Sequence, residues 1–379
     1  MQYDFLIVGA GLAGCVLARF LTDSGARVLV IDKRDYIGGN MHSEDVDGVS
    51  VHMHGPHIFH TNDCEVWYYA NKFAAFNGFR NEPIAVYGDE AYNLPINMNT
   101  FLQMFGARTP EQARRALEAD RVPCDNPDNL EDHLLATVGK TIYTKLMRGY
   151  TEKQWGRSCR ELPISLAKRV PVRYTFNNSY FNDRWQGVPV GGWARFFDVM
   201  MQGIPTELQA DYLSDAEYLR GRAKHVIYTG AVDELYNCDL GRLEYRSLAF
   251  EHKRVEVNNY AGVAVTNYTS RDVPYTRVTE HKHFSGGDDR GHTIISFETP
   301  AAYDGHNIPY YPVCWGNNLE LYSKYAQRAS EDGYVLCGRL AEYKYYSMSD
   351  TIKSALRTAK ALLGKVDLWP QGGSRGGLV

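Results

Sequence analysis

The chain opens on a short apolar run, Tyr3 to Val8, followed at once by Gly9-Ala10-Gly11-Leu12-Ala13-Gly14 and then by Leu12, Val16, Leu17, Phe20 and Leu21 at helical spacing. A β-branched run, a glycine turn and a 3.6-residue period predict strand, tight turn and helix. Ser24-Gly25 closes the helix, and Ala26 to Ile31 make a second buried strand with Asp32 at its end. Further on, Thr109-Pro110-Glu111-Gln112 has a capping Thr, Pro at the first helical position and Gln at the reciprocal place, which marks a helix start. Leu130, Leu134, Leu135, Val138, Ile142 and Leu146 keep the helical period, so residues 100–165 read as an inserted helical unit. From Leu243 the period shortens to two, in the runs Leu243 to Val257, Tyr260 to Ser270, Tyr275 to Phe284 and His292 to Glu298, which predict an antiparallel sheet. Tyr334 to Cys337 reads as a last strand before Gly338-Arg339, and Asp350 opens a final helix through Ile352, Ala355, Leu356, Ala359 and Leu363.

Composition narrows the classes. A chain of 379 residues is long enough for two or three structural units. With 41 Lys plus Arg against 45 Asp plus Glu, the charge balance speaks against a nucleic-acid binder. No apolar run reaches the roughly 18 residues of a membrane span, and no signal sequence stands at the start, so the expected location is cytoplasmic. Seven scattered cysteines without a CxxC pair read as reduced, mostly buried thiols. Tyrosine is the outlier, with 27 residues against 15 Phe. Rings that end in a hydroxyl suit a cleft that stacks on something flat and hydrogen-bonds something charged.

The glycines give the first chemistry. Gly9 serves the turn, Gly11 lets backbone N–H groups approach a pyrophosphate, and Gly14 allows helix to pack on strand, with the phosphates at the positive helix end. Asp32 stands where a carboxylate accepts ribose hydroxyls. Beyond Asp32-Lys33-Arg34 comes a second glycine turn, Gly38-Gly39-Asn40. That extension resembles the FAD-binding fold of the glutathione reductase and amine oxidase group; the alternative is a plain surface turn. Two other patterns carry less. Four histidines in His52-Met53-His54-Gly55-Pro56-His57-Ile58-Phe59-His60 invite a metal, but no Cys or carboxylate completes a ligand spacing and Gly55-Pro56 breaks any helical face, so a loop along the cofactor is expected and no metal site. Gly139-Lys140-Thr141 is not a phosphate loop, because Leu134 stands where its first glycine belongs.

Three further stretches carry a resemblance: Gly149-Tyr150-Thr151-Glu152-Lys153-Gln154-Trp155-Gly156 with Lys168-Arg169-Val170-Pro171-Val172-Arg173 and Tyr180-Phe181-Asn182; Val273-Pro274-Tyr275-Thr276-Arg277 to Lys282; and Gly338-Arg339-Leu340-Ala341-Glu342-Tyr343-Lys344-Tyr345. Together with the glycine motif and Gly55 to Thr61, in this order along the chain to about residue 365, they resemble the bacterial UDP-galactopyranose mutases. The resemblance implies an isomerase that interconverts UDP-galactopyranose and UDP-galactofuranose by ring contraction, through an adduct between the sugar and N5 of reduced FAD, without net redox change. NAD(P)H is the expected external reductant, a UDP-sugar the partner, and a homodimer the assembly.

Carried over position by position, the resemblance assigns Arg169 and Arg277 to the diphosphate, where a guanidinium fork suits better than Lys. Tyr180, Tyr311 and Tyr345 donate to the same phosphates, Tyr150 stacks on uracil near Met147, and Trp155 rides a mobile loop that excludes water. Asn182 lines the substrate; Arg339 lies near flavin and diphosphate; His60 lies by the flavin ring and tunes it. Leu12, Lys33, Gly39, Asn40, His57 and Met348 complete the flavin site beside Gly9, Gly11, Gly14 and Asp32, with the last helix aiming its positive end at the ring.

The sequence departs from the family pattern at Ser347-Met348-Ser349, where Asp-Met-Asp is common, at Leu146-Met147 and at Cys314 to Asn318. These leave open a different nucleotide sugar, UDP-N-acetylgalactosamine or a dTDP-6-deoxyhexose. An amine-oxidase-type oxidoreductase is the rival from another class, and a binding protein without activity the third. The expected fold is a doubly wound α/β FAD-binding domain from 1–75, 192–240 and 318–370, a helical domain over 100–165, an antiparallel sheet domain from 76–99, 166–191 and 241–317, and a flexible tail 371–379.

Overall fold

The computed structural model describes residues 2–169, 172–287 and 289–364, with only the backbone of Lys168 and Arg169. The expected tail 371–379 lies outside them. Two compact units result, one of Met1–Gly39, Met200–Leu240 and the chain from Tyr322 on, the other of Asn40–Val199 and Gly241–Leu321.

The first unit holds a five-stranded parallel sheet in the order Tyr334–Leu336, Ala223–Tyr228, Tyr3–Val8, Val28–Asp32, Thr206–Leu208. Parallel strands are covered on both faces and so read as unbroken apolar runs. Leu6, Ile7, Leu29, Val30 and Ile31 are accordingly fully buried. The second strand starts at Val28 rather than Ala26, because Arg27 N–H is taken by the Asp4 carboxylate at 3.0 Å. Helix Leu12–Asp23 buries Val16, Leu17 and Leu21 and packs against the last helix, Met348–Leu362. Truncating one of these side chains, Leu17→Ala for example, removes about 2–5 kcal/mol. The chain passes from Tyr3–Val8 to neighbours on opposite sides, which leaves a crevice at the carboxyl ends of the central strands.

The second unit holds a seven-stranded sheet in the order Tyr311–Pro312, Tyr245–Val255, Thr293–Ala302, Arg277–Glu280, Val265–Tyr268, Ile84–Tyr87, Glu90–Asn93. All pairings are antiparallel except the join of Val265–Tyr268 to Ile84–Tyr87, which is parallel. The period-two runs are thus strands, but shorter than their patterning. Residues 260–264 are loop and His281–Ser285 a 3-10 turn, where Glu280 draws in the Tyr260 and Ala261 N–H groups at 3.1 and 2.8 Å.

The helical stretch comprises Met98–Phe105, Pro110–Asp120, Leu130–Ile142, a π-helical turn Tyr143–Arg148 and Gly149–Trp155. Thr109 and Gln112 cap each other reciprocally, as their spacing predicts. The long helix breaks where the apolar period does not: Gly139 has φ 79°, and Asp120 accepts from Thr141 N at 2.7 Å and Oγ1 at 2.8 Å. A Cβ at Gly139 would lie 2.6 Å from that carboxylate. Gly139-Lys140-Thr141 is a kink tied down by an acid.

The expected three-way division becomes two. Residues 40–75, expected with the cofactor domain, fall from Asn40 on in the second unit: strand Phe59–Thr61 pairs with Trp185–Gly187 in a two-stranded sheet of their own, and Val49–His52 packs on the turn His281–Ser285. The cysteines are all free, but Cys15, Cys159 and Cys337 alone are buried, while Cys64 is exposed.

Candidate functional site

In the first unit the glycine motif builds a cradle out of backbone. Gly9 has φ +106°, and a Cβ there would lie 2.1 Å from Thr229 Oγ1; one at Gly14 would lie 1.9 Å from Gly9 O. Gly11 is the N-cap of the helix and has no side chain to spend on the first-turn N–H groups of Leu12, Ala13 and Gly14. Such groups, with the helix dipole behind them, suit an anion. Asp32 ties the turn to its strand, accepting Ala10 N at 2.6 Å through one oxygen and Arg34 N at 2.9 Å through the other. A carboxylate has lone pairs for further donors, so the ribose role is compatible with both bonds.

Gly38-Gly39 is no surface turn. Both residues are buried, Gly38 bridges to Gly11, and a Cβ at Gly39 would lie 2.9 Å from the Gly11 Cα. The two glycine turns touch through bare backbone, the close approach that a pyrophosphate cradle needs. A short 3-10 turn, Gly39–Met41, carries Asn40, and Lys33 is exposed.

A second set of groups belongs to the same unit. Gly338, at φ +101°, comes so near the first turn of the long helix that a Cβ would lie 2.9 Å from the Ala13 Cβ. Its N–H donates to Glu342 at 2.9 Å, and the Tyr346 and Ser354 hydroxyls donate to the same buried carboxylate at 2.8 and 2.7 Å. That organises the following turn, where Arg339 donates through Nε to Tyr346 O at 3.1 Å and lies 5.8 Å from the Tyr345 ring. The last helix starts at Met348, not Asp350, because Ser347 caps it: Asp350 N donates to Ser347 Oγ at 3.1 Å and the Asp350 carboxylate takes Ser347 N at 3.0 Å. Ser347 thus has a local duty of its own.

In the second unit the large sheet presents Arg277. It stands directly across from Glu298 in the register of neighbouring strands, and Nη2 donates to Oε1 at 2.8 Å. Its Nε is buried and has no acceptor among the described residues. Burial works against the guanidinium charge, but Glu298 and then the phenols of Tyr150 and Tyr311 outweigh it, so the pKa lies above its ordinary value. A cation held charged beside two phenols suits a phosphate group. Glu298 carries no motif signal; only an acid in the otherwise apolar run from Thr293 hints at it.

Tyr150 and Trp155 lie on the helix Gly149–Trp155. Trp155 is buried, edge-on to Trp315 with centroids 4.9 Å apart, so the expected mobile loop is at this residue a helix end in packed surroundings. Arg246 from the long strand donates to Gln154 O at 2.9 Å, occupying a carbonyl at that end. Met147 is half-buried in the π-helical turn, where extra carbonyls open; Thr269 Oγ1 donates to Lys145 O at 2.6 Å.

The histidines divide their work. His57 N–H donates to His52 Nδ1, and His52 N–H to His281 Nδ1, so both rings carry their proton on Nε2. His281 then meets Ser296 Oγ at 2.6 Å. His54 bonds Tyr310 at 2.7 Å. His60 donates through Nδ1 to Asp183 at 2.8 Å and stacks on Phe181 with centroids 3.7 Å apart, which fixes its tautomer. Asp183 is the partner that sequence reading missed. Tyr180 and Asn182 are exposed on either side of Phe181, Tyr180 leaning edge-on to that ring. The Arg169 side chain lies outside the described residues.

Comparison with known proteins bears on family and fold. The family model for UDP-galactopyranose mutase matches residues 145–345, more than half of the chain and inclusive of Tyr150, Arg277, Arg339 and Tyr345; one for an NAD(P)-binding Rossmann-like domain matches 7–73. A Klebsiella pneumoniae protein described as a probable UDP-galactopyranose mutase is 39% identical, covering 96% of this chain and 95% of its own. The dTDP-fucopyranose mutase of Escherichia coli is 34% identical over 94% of this chain and 97% of its own. A crystal structure of reduced UDP-galactopyranose mutase, 15% identical, shares the fold with a TM-score of 0.77 over 97% of this chain and 95% of that one. With a motif series in order, a dinucleotide cradle, and likeness of this extent along nearly the whole length, the chain belongs to the UDP-galactopyranose mutase family.

Proposed function

We propose that this protein is an isomerase that interconverts UDP-galactopyranose and UDP-galactofuranose with reduced FAD and no net redox change. The observation that carries the reading is Arg277, a half-buried cation beside Tyr150 and Tyr311 with a buried Nε that lacks an acceptor among the described residues. A diphosphate supplies what that donor lacks.

The glycine cradle fits FAD: a Cβ at Gly14 or Gly39 would collide with the backbone of Gly9 or Gly11, so the two turns approach each other only without side chains and leave their N–H groups bare for a pyrophosphate. Gly11, Leu12 and Gly14 would hold the pyrophosphate, Asp32 the ribose, with Lys33, Asn40, His57 and Met348 around the rest. Bound in reduced form, the flavin supplies nucleophilic chemistry at the anomeric carbon of the sugar. The remaining duties fall on side chains. Arg277 neutralises the diphosphate as it leaves and holds it for return, with Arg169 as its expected companion. Tyr150 and Tyr311 donate phenolic hydrogen bonds or stacking, and Tyr180, Asn182, Tyr345 and Arg339 complete the contacts. Glu298 keeps the Arg277 fork in one orientation. His60, held in one tautomer by Asp183, is the residue expected to tune the flavin ring. Exclusion of water protects a glycosyl group between bond breakage and reclosure.

A second reading, turnover of a dTDP-6-deoxyhexose, is favoured by the likeness to the dTDP-fucopyranose mutase. The test is an HPLC assay of dithionite-reduced protein with UDP-galactofuranose and dTDP-fucose in parallel, against an oxidised control. Conversion of the UDP-sugar under reduction alone supports the first reading; turnover of the dTDP-sugar alone moves the specificity to the second; net consumption of reductant would sink both in favour of an oxidoreductase.

A further inference from the structure

We propose that Lys153 is a positioning residue for diphosphate recognition, an ammonium bolt that fixes the helix bearing Tyr150 to the hairpin that presents Arg277. The inference rests on the function proposed above. Lys153 is half-buried, and its Nζ donates to three backbone carbonyls, Tyr268 O at 2.8 Å, Val273 O at 3.0 Å and Tyr275 O at 2.8 Å. Its three N–H donors meet three acceptors of one turn, and no carboxylate is among them. That turn closes the hairpin between Val265–Tyr268 and Arg277–Glu280, with Tyr268 N donating to Thr276 O at 2.9 Å. Arg277 follows two residues after Tyr275.

The geometry at the helix makes this contact directional. Tyr150 and Lys153 are i and i+3, neighbours on one face. One turn back, Gly149 comes so near the hairpin that a Cβ would lie 2.2 Å from Thr269 O. The helix can therefore lie this close only without a side chain at Gly149, and only with a donor at Lys153 to face the carbonyls. A tripod ammonium does this in a way that a planar guanidinium reproduces in part and an apolar side chain not at all. The titratable residues of the elements packed here are Tyr268 and Tyr275 of the hairpin, whose rings pack edge-on to each other, and Arg246, whose guanidinium donates to the Lys153 and Gln154 carbonyls; on the helix itself Glu152 is paired with Arg271 and Arg148. Burial pulls the Lys153 pKa down to about 8, so its charge is lost in mildly alkaline solution.

The test uses the full chain loaded with FAD and reduced. Lys153→Met is expected to raise the KM for the sugar nucleotide and the Kd for UDP, measured by calorimetry, by about tenfold or more, with a smaller change in kcat. In the wild type, KM climbs as the pH passes about 8, whereas Lys153→Arg, which keeps its charge, has weaker binding but a flat profile over that range. Parallel profiles for wild type and Lys153→Arg, or wild-type UDP affinity in Lys153→Met, would overturn the assignment. If the wild type turned over no sugar nucleotide, the proposed function would fail, while UDP titration of the two variants would still decide the role of Lys153.

Discussion

The two units build their candidate sites from different materials. The first offers backbone: a glycine turn, helix N–H groups and a second glycine turn touching the first, with the Asp32 carboxylate and Thr229 hydroxyl set against it. The second offers side chains: Arg277 with Glu298, two phenols, and His60 held by Asp183. A site made of backbone is specified by where side chains are missing, so its variants act through sterics. A site made of side chains is specified by charge and reach, so its variants act through chemistry. The difference predicts where cofactor retention and turnover separate.

The largest effect is expected on the side-chain site. Arg277→Ala lowers kcat by on the order of 10²–10³-fold while the flavin spectrum of the purified protein persists. Because Ala strands Glu298 in a buried position, at about 3–5 kcal/mol of stability, Arg277→Lys is the companion variant; it keeps the charge, loses the fork and still loses most of the activity. Wild-type turnover in either would remove Arg277 from the diphosphate role. On the backbone site, Gly14→Ala forces the helix off the turn and costs about 1–3 kcal/mol, read as a lower flavin-to-protein absorbance ratio. Full flavin occupancy with a wild-type melting temperature would show that the cradle tolerates a side chain.

A third test separates the units by acid. His52 and His281 are buried and neutral, and burial carries the His281 pKa down to about 3. A histidine depressed in the fold contributes stability that is fully present above its unfolded pKa, about 6.5, and is lost as pH falls from there toward the folded value. Each such group removes about 1.4 kcal/mol per pH unit in that window, so melting between pH 7 and 5 should lose cooperativity or temperature through the large-sheet unit first. Hydrogen exchange that starts instead at strands Tyr3–Val8 and Val28–Asp32 would contradict this. The smallest effect is Ser347→Ala, about 1 kcal/mol of thermal stability from a lost cap, with no change in substrate preference. A switch in preference between UDP- and dTDP-sugars would give Ser347 more than a capping role.

Local patterns carried much of this. The Tyr3–Val8 strand, the Thr109 cap and the runs around Tyr245, Arg277 and Thr293 are encoded by periods and caps within a few residues, and the structure has elements there. What stayed hidden depends on partners far along the chain. Residues 40–75 join the second unit through Gln186 and His281, more than a hundred positions away. Trp155 reads as loop beside Gly156 until Trp315 and Arg246 are in place around it. Glu298 and Asp183 are ordinary acids until their strands are paired. Ser347 is different: its cap is local, and the Asp three residues later was the signal.

The order of strands in the parallel sheet also sets a timetable for synthesis. Tyr3–Val8 leaves the ribosome first, yet its neighbour Ala223–Tyr228 and the edge strand Tyr334–Leu336 come far later, and the helix that packs on Leu12–Asp23 ends only at Leu362. At roughly 5–20 residues per second, the glycine turn waits many seconds before its sheet can close. A nascent chain halted short of that last helix therefore carries the whole glycine motif and lacks the helix that packs against it, so the cradle takes its shape only after the strands and helix that follow have been made.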